Sequence, residues 1–552
     1  MMRLTQLGLA VMIAGLILSL KGSSPSVTAA TAKPQNNAQG QAADPVSTRD
    51  APPDTTPYWR PARPEDYAPK GIRPIPLVPG VFTVDVVVNN MDPNLTNIDT
   101  FNDGETSITV NPANPNEIVI TAFSGSWGAH APLWQSTDGG NIWEKKFTIP
   151  APPGVAATGC PCDQTIDYGM ANQMSGIFLI SDIFSGITTN PASPPAWNWL
   201  VIGGVTQPTN FNNSPSPPGF VDQPWLLVNA DPMIPTQDNV YAAYDDFTNG
   251  NDCLGDDCNI RVSVSYGVNP PNFTLDNQSG TATGSINPGH RLAVDPRNGS
   301  VYSLFQRNIA PGAGGSKNID YMLNRSTDGG ATWSLNGVAG GIMVANSDST
   351  QPTPKFGTVN ALLGGVDHAA VDPNYGDVYY VYGNRDAGTG NDRLAIRRIQ
   401  DDGGGGVTVG PENFVTGQVE AAIPSVAVAS DGTVGVFYYT FDGFSQDNFP
   451  IFSAHLAQSS DHGVTFNHQT LLTFLSSATD NGNSRQRVLG DYMQMKAVDS
   501  CFYGAFTGNG VPFGRPFANH DPIFFRACAV APPRPTPTPR PRPTPAPRPT
   551  PR

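Results

Sequence analysis

The sequence predicts an all-β protein in which repeated four-stranded units close into a ring, the β-propeller architecture. Three observations support this fold class. A tight-corner motif occurs three times, a short apolar strand followed by a turn recurs in seven units, and no segment has a convincing helical period. We expect one propeller domain over residues 81–531, with seven blades preferred and six as the alternative.

The tight corner reads Ser-x-Asp-x-Gly-x-x-aromatic. A short Asp side chain can accept hydrogen bonds from the backbone N–H groups that follow it, and Gly adopts a positive φ without steric cost. The aromatic residue then begins the returning strand. The residues that define the three corners are Ser136, Asp138, Gly140 and Trp143; Ser326, Asp328, Gly330 and Trp333; and Ser459, Asp461, Gly463 and Phe466.

The second repeated feature is an apolar strand that ends at Val-Asn-Pro, Val-Asp-Pro or a similar turn. Clear copies occur at 107–112, 225–229, 291–296, 368–373 and 425–429, and weaker copies at 165–167 and 491–495. Each unit continues with a partner strand and two more strands around a corner. The seventh unit ends near Cys528 without a fourth strand, so we predict that the strand at 81–88 pairs with this open edge and clasps the ring.

The two ends of the chain differ in composition from the repeats. A largely apolar run at 7–20 follows Arg3 and is too short to span a bilayer, so residues 1–32 are predicted to be a secretory signal peptide. Residues 33–80 lack apolar periodicity and predict a disordered linker. Residues 532–552 alternate Pro with Arg and Thr, which predicts a polyproline II tail. The protein is therefore expected to be secreted, extracellular or periplasmic.

Charge separates the tail from the rest of the chain. The formal net charge is −15, and removing the tail, whose five arginines contribute +5, leaves −20 on the remainder. An acidic body argues against nucleic acid as a partner, because phosphate binding requires a basic face. The basic tail can contact an anionic cell wall or serve as a solvated spacer, and the sequence leaves both open.

Six cysteines in an exported chain permit disulfides. Local proximity favours Cys253 with Cys258 and Cys501 with Cys528. We expect no cofactor and no zinc, because Cys160 and Cys162 have no second ligand pair at zinc spacing. Calcium is a possible ligand of the acidic loop that contains Asp252, Asp256 and Asp257, and a solvated acidic loop is the alternative.

Ionisable residues stand at the start of the innermost strand in six of the seven units. They are Glu105, Asp163, Asp222, His290 with Arg291, Asp367 with His368, and Asp491 with Tyr492. If these side chains converge at the axis, they form a polar funnel suited to ligand binding, general acid/base chemistry or a cation. The alternative is that each carboxylate accepts backbone N–H bonds in a turn or at a contact between blades.

The corner motif resembles the Asp-box, or BNR repeat, of the sialidase-like β-propellers. The resemblance implies structural corners at the outer hairpins of the blades. It also implies a candidate sialidase set, in which three arginines hold the sugar carboxylate and a Glu activates a Tyr nucleophile. Those positions would be Arg291, Arg385 and Arg487 for the clamp, Tyr492 or Tyr439 for the nucleophile, Glu105 or Glu420 for its partner, and Asp367 with His368 nearby.

The sequence departs from that family in two respects. Sialidase domains have six blades, and their Phe-Arg-Ile-Pro signature is absent; Arg73-Pro-Ile-Pro76, the nearest string, falls in the predicted linker. The acidic funnel would also repel a sugar carboxylate. We therefore expect an exported propeller that recognises a glycan or another surface ligand without catalysis. The alternatives are a retaining exo-α-sialidase-like glycoside hydrolase and an extracellular scaffold or adhesion module.

Overall fold

The described strands lie in seven antiparallel sheets of four or five strands, which are the blades, and in one separate two-stranded hairpin. The structure, a computed structural model, describes residues 74–86, 103–124, 131–155, 162–179, 182–209, 221–247, 257–283, 289–311, 317–349, 367–403, 406–476, 489–513 and 520–529. The first two strands, β1 (Ile75–Val78) and β2 (Val81–Asp85), precede blade one.

Blade one contains β3 (Asp103–Val110), β4 (Ile118–Ser124), β5 (Ala131–Ser136) and β6 (Glu144–Ile149). Blade two contains β7 (Cys162–Tyr168), β8 (Met174–Leu179), β9 (Ile183–Thr188) and β10 (Trp197–Trp199), followed by the hairpin β11 (Val201–Ile202) and β12 (Val205–Thr206). Blade three contains β13 (Val221–Ala230), β14 (Asp238–Asp246), β15 (Asp257–Tyr266) and β16 (Leu275–Thr283).

Blade four contains β17 (Arg291–Val294), β18 (Val301–Pro311), β19 (Lys317–Ser326) and β20 (Ile342–Ser349). Blade five contains β21 (His368–Val371), β22 (Val378–Arg385), β23 (Asp392–Asp401) and β24 (Val407–Phe414). Blade six contains β25 (Ala421–Val428), β26 (Val434–Phe444), β27 (Pro450–Ser459) and β28 (Asn467–Leu475). Blade seven contains β29 (Gln494–Val498), β30 (Cys501–Gly508) and β31 (Asp521–Cys528).

The first strand of each blade lies nearest the axis. Each of these innermost strands contacts the innermost strand of the next blade, and β29 contacts β3, which closes the ring. The structure therefore has the predicted seven blades. The core lies between neighbouring blades; Phe437 of blade six, for example, stacks on Phe525 of blade seven with 5.8 Å between ring centroids.

The N-terminal strand closes blade seven, as predicted. β2 pairs with β31, and β1 pairs with β2, so this blade has five strands in the order β1-β2-β31-β30-β29. Val84 and Val86 are buried in one cluster with Trp143 and Phe524 of the two joined blades.

The predicted boundary between linker and propeller at residue 80 is wrong, because β1 at residues 75–78 already forms the edge strand of blade seven. An edge strand tolerates Pro76, because its N–H side can face away from the sheet. Residues 1–73 lie outside the described residues.

The three Ser-x-Asp corners occupy equivalent positions. Each joins the third and fourth strands of its blade, in blades one, four and six. In the blade-four corner, Ser326 Oγ donates to Asp328 Oδ1 (2.8 Å) and accepts from Gly330 N (2.7 Å), and Thr332 N donates to Asp328 Oδ1 (2.8 Å). These bonds to the carboxylate lower the pKa of Asp328 although burial opposes them.

The corners also fasten one blade to the previous one. Gly140 has a φ of +92°, and a Cβ at this position would lie 2.1 Å from the Phe524 ring of blade seven. Trp143 packs on the same ring, with 5.0 Å between centroids. Only glycine therefore fits at Gly140, because both the backbone conformation and the close approach exclude a side chain.

The disulfide predicted between Cys501 and Cys528 is present, joining facing residues of β30 and β31. Cys258 is also disulfide-bonded, while Cys253 lies outside the described residues, so their pairing stays a prediction.

Among the residues described, there is no helix with the length and apolar character needed to cross a membrane. The predicted tail at 532–552 lies outside the described residues.

Candidate functional site

One position in every innermost strand forms a ring around the axis, which we call the axial belt. Its members, from blade one to blade seven, are Ser107, Thr165, Trp225, Arg291, His368, Ser425 and Gln494. Five of them accept a hydrogen bond from a backbone N–H of the next blade. The donors are Ile166 to Ser107, Leu226 to Thr165, Val426 to His368, Met495 to Ser425 and Ile108 to Gln494, at 2.8–3.3 Å.

The belt changes character at blades three and four, where its members are Trp225 and Arg291. The Arg291 guanidinium carbon lies 4.4 Å from the centroid of the Trp225 ring and 5.3 Å from that of Tyr492. Arg291 Nη2 donates to Gln223 Oε1 (3.2 Å), and Nη1 donates to the His290 carbonyl (2.8 Å). The two rings meet edge-on with 5.7 Å between centroids, and the guanidinium lies beside both. Cation–π attraction stabilises such an arrangement, most strongly where water is excluded.

Carboxylates surround this guanidinium. Asp245, Asp367 and Asp491 all interact electrostatically with Arg291, which is itself fully buried. Burial lowers the pKa of Arg291, and the three carboxylates oppose that change. We call the group formed by Gln223, Trp225, Asp245, Arg291, Gln306, Asp367 and Tyr492 the axial cluster.

Two aspartates of the axial cluster have strongly perturbed acidity. Burial raises the pKa of Asp367 to about 7, against the opposing effects of Gln306 Nε2, which donates to its Oδ1 (2.8 Å), and of Arg291. Burial also raises the pKa of Asp245 well above its usual range, although Arg291 acts in the opposite direction. Desolvation disfavours the charged carboxylate in both cases.

The two histidines predicted for the funnel are neutral. Burial lowers the pKa of both His290 and His368 to about 3. His290 Nε2 lies 2.8 Å from Ser303 Oγ, and its Nδ1 lies 3.3 Å from the Tyr244 carbonyl, so the ring links strands of blades three and four. His368 is a belt member whose Nδ1 accepts the Val426 N–H.

Two other predicted funnel residues, Glu105 and Asp222, accept backbone N–H bonds, as in the alternative interpretation. Glu105 Oε1 accepts the backbone N–H of Asp491 (3.1 Å), which joins blade one to blade seven. Asp222 Oδ1 accepts the N–H of Gln223 (2.8 Å). Asp163 is fully buried at the start of β7. The predicted funnel residues thus all lie at the starts of the innermost strands, but they divide between structural contacts and the axial cluster.

Among the described residues, only part of the sialidase-type set meets at Arg291, namely Tyr492 and Asp367. Arg385 lies at the end of β22, where its charge acts on Glu420, a carboxyl whose pKa burial raises. Tyr439 is fully buried, and its hydroxyl donates to the Thr507 carbonyl (2.9 Å). The Tyr492 hydroxyl donates to the Gln164 carbonyl (3.3 Å). Arg487 lies outside the described residues.

No protein family model matches the chain, and no curated protein matches it. Among solved structures it is similar to a protein of unknown function from Dyadobacter fermentans DSM 18053 (TM-score 0.37, 13% identity, 82% of this chain and 100% of that one). It is also similar to the polysaccharide lyase Uly1 (TM-score 0.41, 11% identity, 76% and 89%). A further match is the GH93 α-L-arabinofuranosidase of Fusarium graminearum (TM-score 0.37, 13% identity, 61% and 88%).

Sequence reasoning missed Asp245, Gln223 and Gln306 as site residues. Asp245 is the second-last residue of the buried strand β14, where it faces Asp222 across the sheet. Two consecutive acidic residues after the apolar run 241–244 were an available signal, because charged residues are rarely buried without a function or a partner. Gln223 and Gln306 carry no comparable signal.

The calcium prediction is not tested by this structure. Asp252 and Asp256 lie outside the described residues, and nothing is described for the side chain of Asp257. Within the described ranges, no group of three or more His, Cys, Asp or Glu residues is arranged to hold a metal ion.

Proposed function

We propose that this chain is an exported β-propeller that recognises a glycan, or another polyhydroxylated surface ligand, at the axial cluster without performing chemistry on it. The observation that supports this proposal is a set of buried polar atoms without hydrogen-bond partners around Arg291. They are both carboxylate oxygens of Asp245, Oε1 of Gln306 and Nε2 of Gln223.

These unpaired atoms include both hydrogen-bond donors and hydrogen-bond acceptors. Gln223 Nε2 is a donor, Gln306 Oε1 is an acceptor, and Asp245 accepts when ionised and donates when protonated. A sugar hydroxyl is both donor and acceptor, so a polyol satisfies all three without placing a net charge beside Arg291 and its carboxylates. Buried polar groups that remain unsatisfied cost about 1–3 kcal/mol each, and a ligand that satisfies them recovers that cost.

The test is glycan-array screening of the purified full chain, followed by calorimetric titration of the best glycan against an Asp245→Asn variant. Asp245 makes no hydrogen bond that this near-isosteric change would remove. We expect at least about tenfold weaker binding, equal to about 1.4 kcal/mol. Asp447→Asn, at an exposed turn of blade six, is the matched control and should bind like the parent. Equal binding by parent and D245N would contradict the proposal.

Glycoside hydrolysis is the second candidate, and the acidity of Asp367 favours it. A carboxyl with a pKa of about 7 can deliver or accept a proton near neutral pH, as a general acid or base must. The test is turnover of a fluorogenic sialoside by the parent and by Asp367→Asn. If the parent hydrolyses the sialoside and the folded D367N variant does not, the function is hydrolysis and not recognition alone.

An adhesion role is the remaining alternative. It predicts that deleting residues 532–552 releases the protein from cells while ligand binding stays unchanged.

A further inference from the structure

Belt residues of blades three, five and seven line one part of a second cavity, which we call the axial tunnel. It has a volume of about 260 Å³ and runs along the second halves of the innermost strands, from Trp225, His368 and Gln494 to Val294 and Val371. First and third strands run in the same direction, so the tunnel extends toward the face that carries the Ser-x-Asp corners. The axial cluster lies toward the beginnings of these strands, and Trp225 belongs to both the cluster and the tunnel wall.

Small and apolar side chains line most of the tunnel, including Ala293, Ala370 and Ala427. One side is polar instead. There Lys496 Nζ lies 3.0 Å from Asp167 Oδ1, across the gap between blades seven and two. The Lys496 side chain is 26% exposed.

Two hydrogen-bond donors at the inner end of the tunnel have no partner among the described residues. His368 Nδ1 accepts the Val426 N–H, which leaves the proton on Nε2, and Nε2 is buried without an acceptor. Gln494 Oε1 accepts both Ser107 Oγ (2.7 Å) and Ile108 N (3.1 Å), so its amide orientation is fixed. Its Nε2 is buried and likewise without an acceptor.

The acceptor oxygens of Asp167, in the same place, already hold four donors. Oδ2 accepts the Val228 N–H (2.9 Å), and Oδ1 accepts from Tyr168 N (3.2 Å) and Thr109 Oγ1 (3.4 Å) and pairs with Lys496. Most of the hydrogen-bonding capacity that remains in the tunnel is therefore donor capacity: an imidazole N–H, a carboxamide NH₂ and the remaining protons of an ammonium group.

We propose that the axial tunnel is a binding site for a small carboxylate, or for the carboxylate group of a larger ligand, held by His368, Gln494 and Lys496. A carboxylate offers only acceptor oxygens and carries one negative charge, so it matches the donors and the ammonium together. The two buried donors would each gain a charge-assisted hydrogen bond, which is about twice as strong as one between neutral groups. This site is independent of the proposed function at the axial cluster.

The first experiment titrates the full chain with glucuronate and with glucose, its neutral counterpart, using ligand-observed NMR at fixed ionic strength. We expect glucuronate to bind at least about tenfold more tightly than glucose. Gln494→Glu keeps an oxygen for Ser107 and Ile108 but replaces the free donor by a negative charge, and it should lose glucuronate binding at least about tenfold. Equal binding of the two sugars, or of glucuronate to parent and Q494E, would overturn the proposal.

A second variant keeps the proposal testable if Q494E fails to fold. Lys496→Met removes the ammonium while Asp167 retains its backbone donors, and we expect glucuronate binding to weaken about tenfold. Lys317→Met removes the same charge at an exposed position of β19 and should leave binding unchanged. Equal weakening by K496M and K317M would show a nonspecific charge effect and would contradict a built site.

Discussion

Two arcs of the axial belt differ although they occupy the same position in the blades. In blades six, seven, one and two, the belt residue is a short polar side chain or Gln494, and each accepts a backbone N–H from the next blade. In blades three and four, Trp225 and Arg291 hold that position and contact each other instead. The first arc is a structural seam.

His368, in blade five, belongs to both arcs. Its Nδ1 completes the seam to blade six, and its ring lies edge-on to Trp225 with 5.6 Å between centroids. The contrast separates two kinds of belt position. Positions that close the ring hold groups that accept a neighbour's N–H, whereas Trp225 and Arg291 depart from that rule where side chains of several blades converge.

The largest expected effect concerns Arg291. Replacing it by Met removes the cation that compensates Asp245, Asp367 and Asp491, so we expect the free energy of unfolding to fall by about 3–5 kcal/mol. Chemical denaturation measures this change. Arg385→Met, at a half-buried position outside the cluster, should cost less than about 1 kcal/mol. If R291M and R385M lost equal free energy of unfolding, Arg291 would contribute no more to stability than an arginine outside the cluster, and this would contradict the distinction between the two arcs.

The second prediction concerns pH. The pKa of Asp367 is raised from 3.8 to about 7, so the folded protein binds more protons than the unfolded chain between these values. The carboxyl therefore destabilises the folded state increasingly as the pH rises through that window. Asp367→Asn should gain stability relative to the parent from pH 4 to pH 7, by up to about 4 kcal/mol.

The difference between D367N and the parent is the quantity to measure, by denaturation at several pH values. His290 and His368 act in the opposite direction, because their depressed pKa values of about 3 mean that stability is lost as the pH falls from 6.5. Those contributions are common to both proteins. A stability difference that does not change with pH would show that Asp367 ionises normally.

A smaller loss of stability is expected when a hydrogen bond of the structural seam is removed. Ser107 accepts the Ile166 N–H and donates to Gln494 Oε1, so it joins blades one, two and seven. Ser107→Ala leaves a buried N–H unsatisfied and should lower the free energy of unfolding by about 1–3 kcal/mol. Ser460→Ala, at an exposed position, is the control and should change it by less than about 0.5 kcal/mol. If S107A had the same free energy of unfolding as the parent, the belt hydrogen bonds would not stabilise the closed ring of blades.

The smallest effect is expected at Ser425, which makes one seam bond, from Met495 N at 3.0 Å. Ser425→Ala should cost about 1 kcal/mol, and the glycan and glucuronate affinities should stay at the parent values. A loss of either affinity in S425A would show that the seam and the ligand sites are energetically coupled.

The sequence by itself determined the ring and its corners. Strand periodicity, the seven marker strands and the Ser-x-Asp corners are local patterns, because turn chemistry and alternation act over a few residues. The clasp by β2 and the Cys501–Cys528 disulfide followed from counting strands in the last unit. The same logic correctly placed Arg291, Asp367 and Tyr492 at the starts of innermost strands.

Only the tertiary structure decided what those residues do. Glu105 and Asp222 looked like Asp367 in the sequence, yet they accept backbone N–H bonds, while Asp367 is buried beside a guanidinium. Asp245 enters the cluster from a second strand, and the donors of the axial tunnel come from blades five and seven. These partners lie far apart in the chain and meet only because the ring closes, so no local pattern encodes which of them face one another.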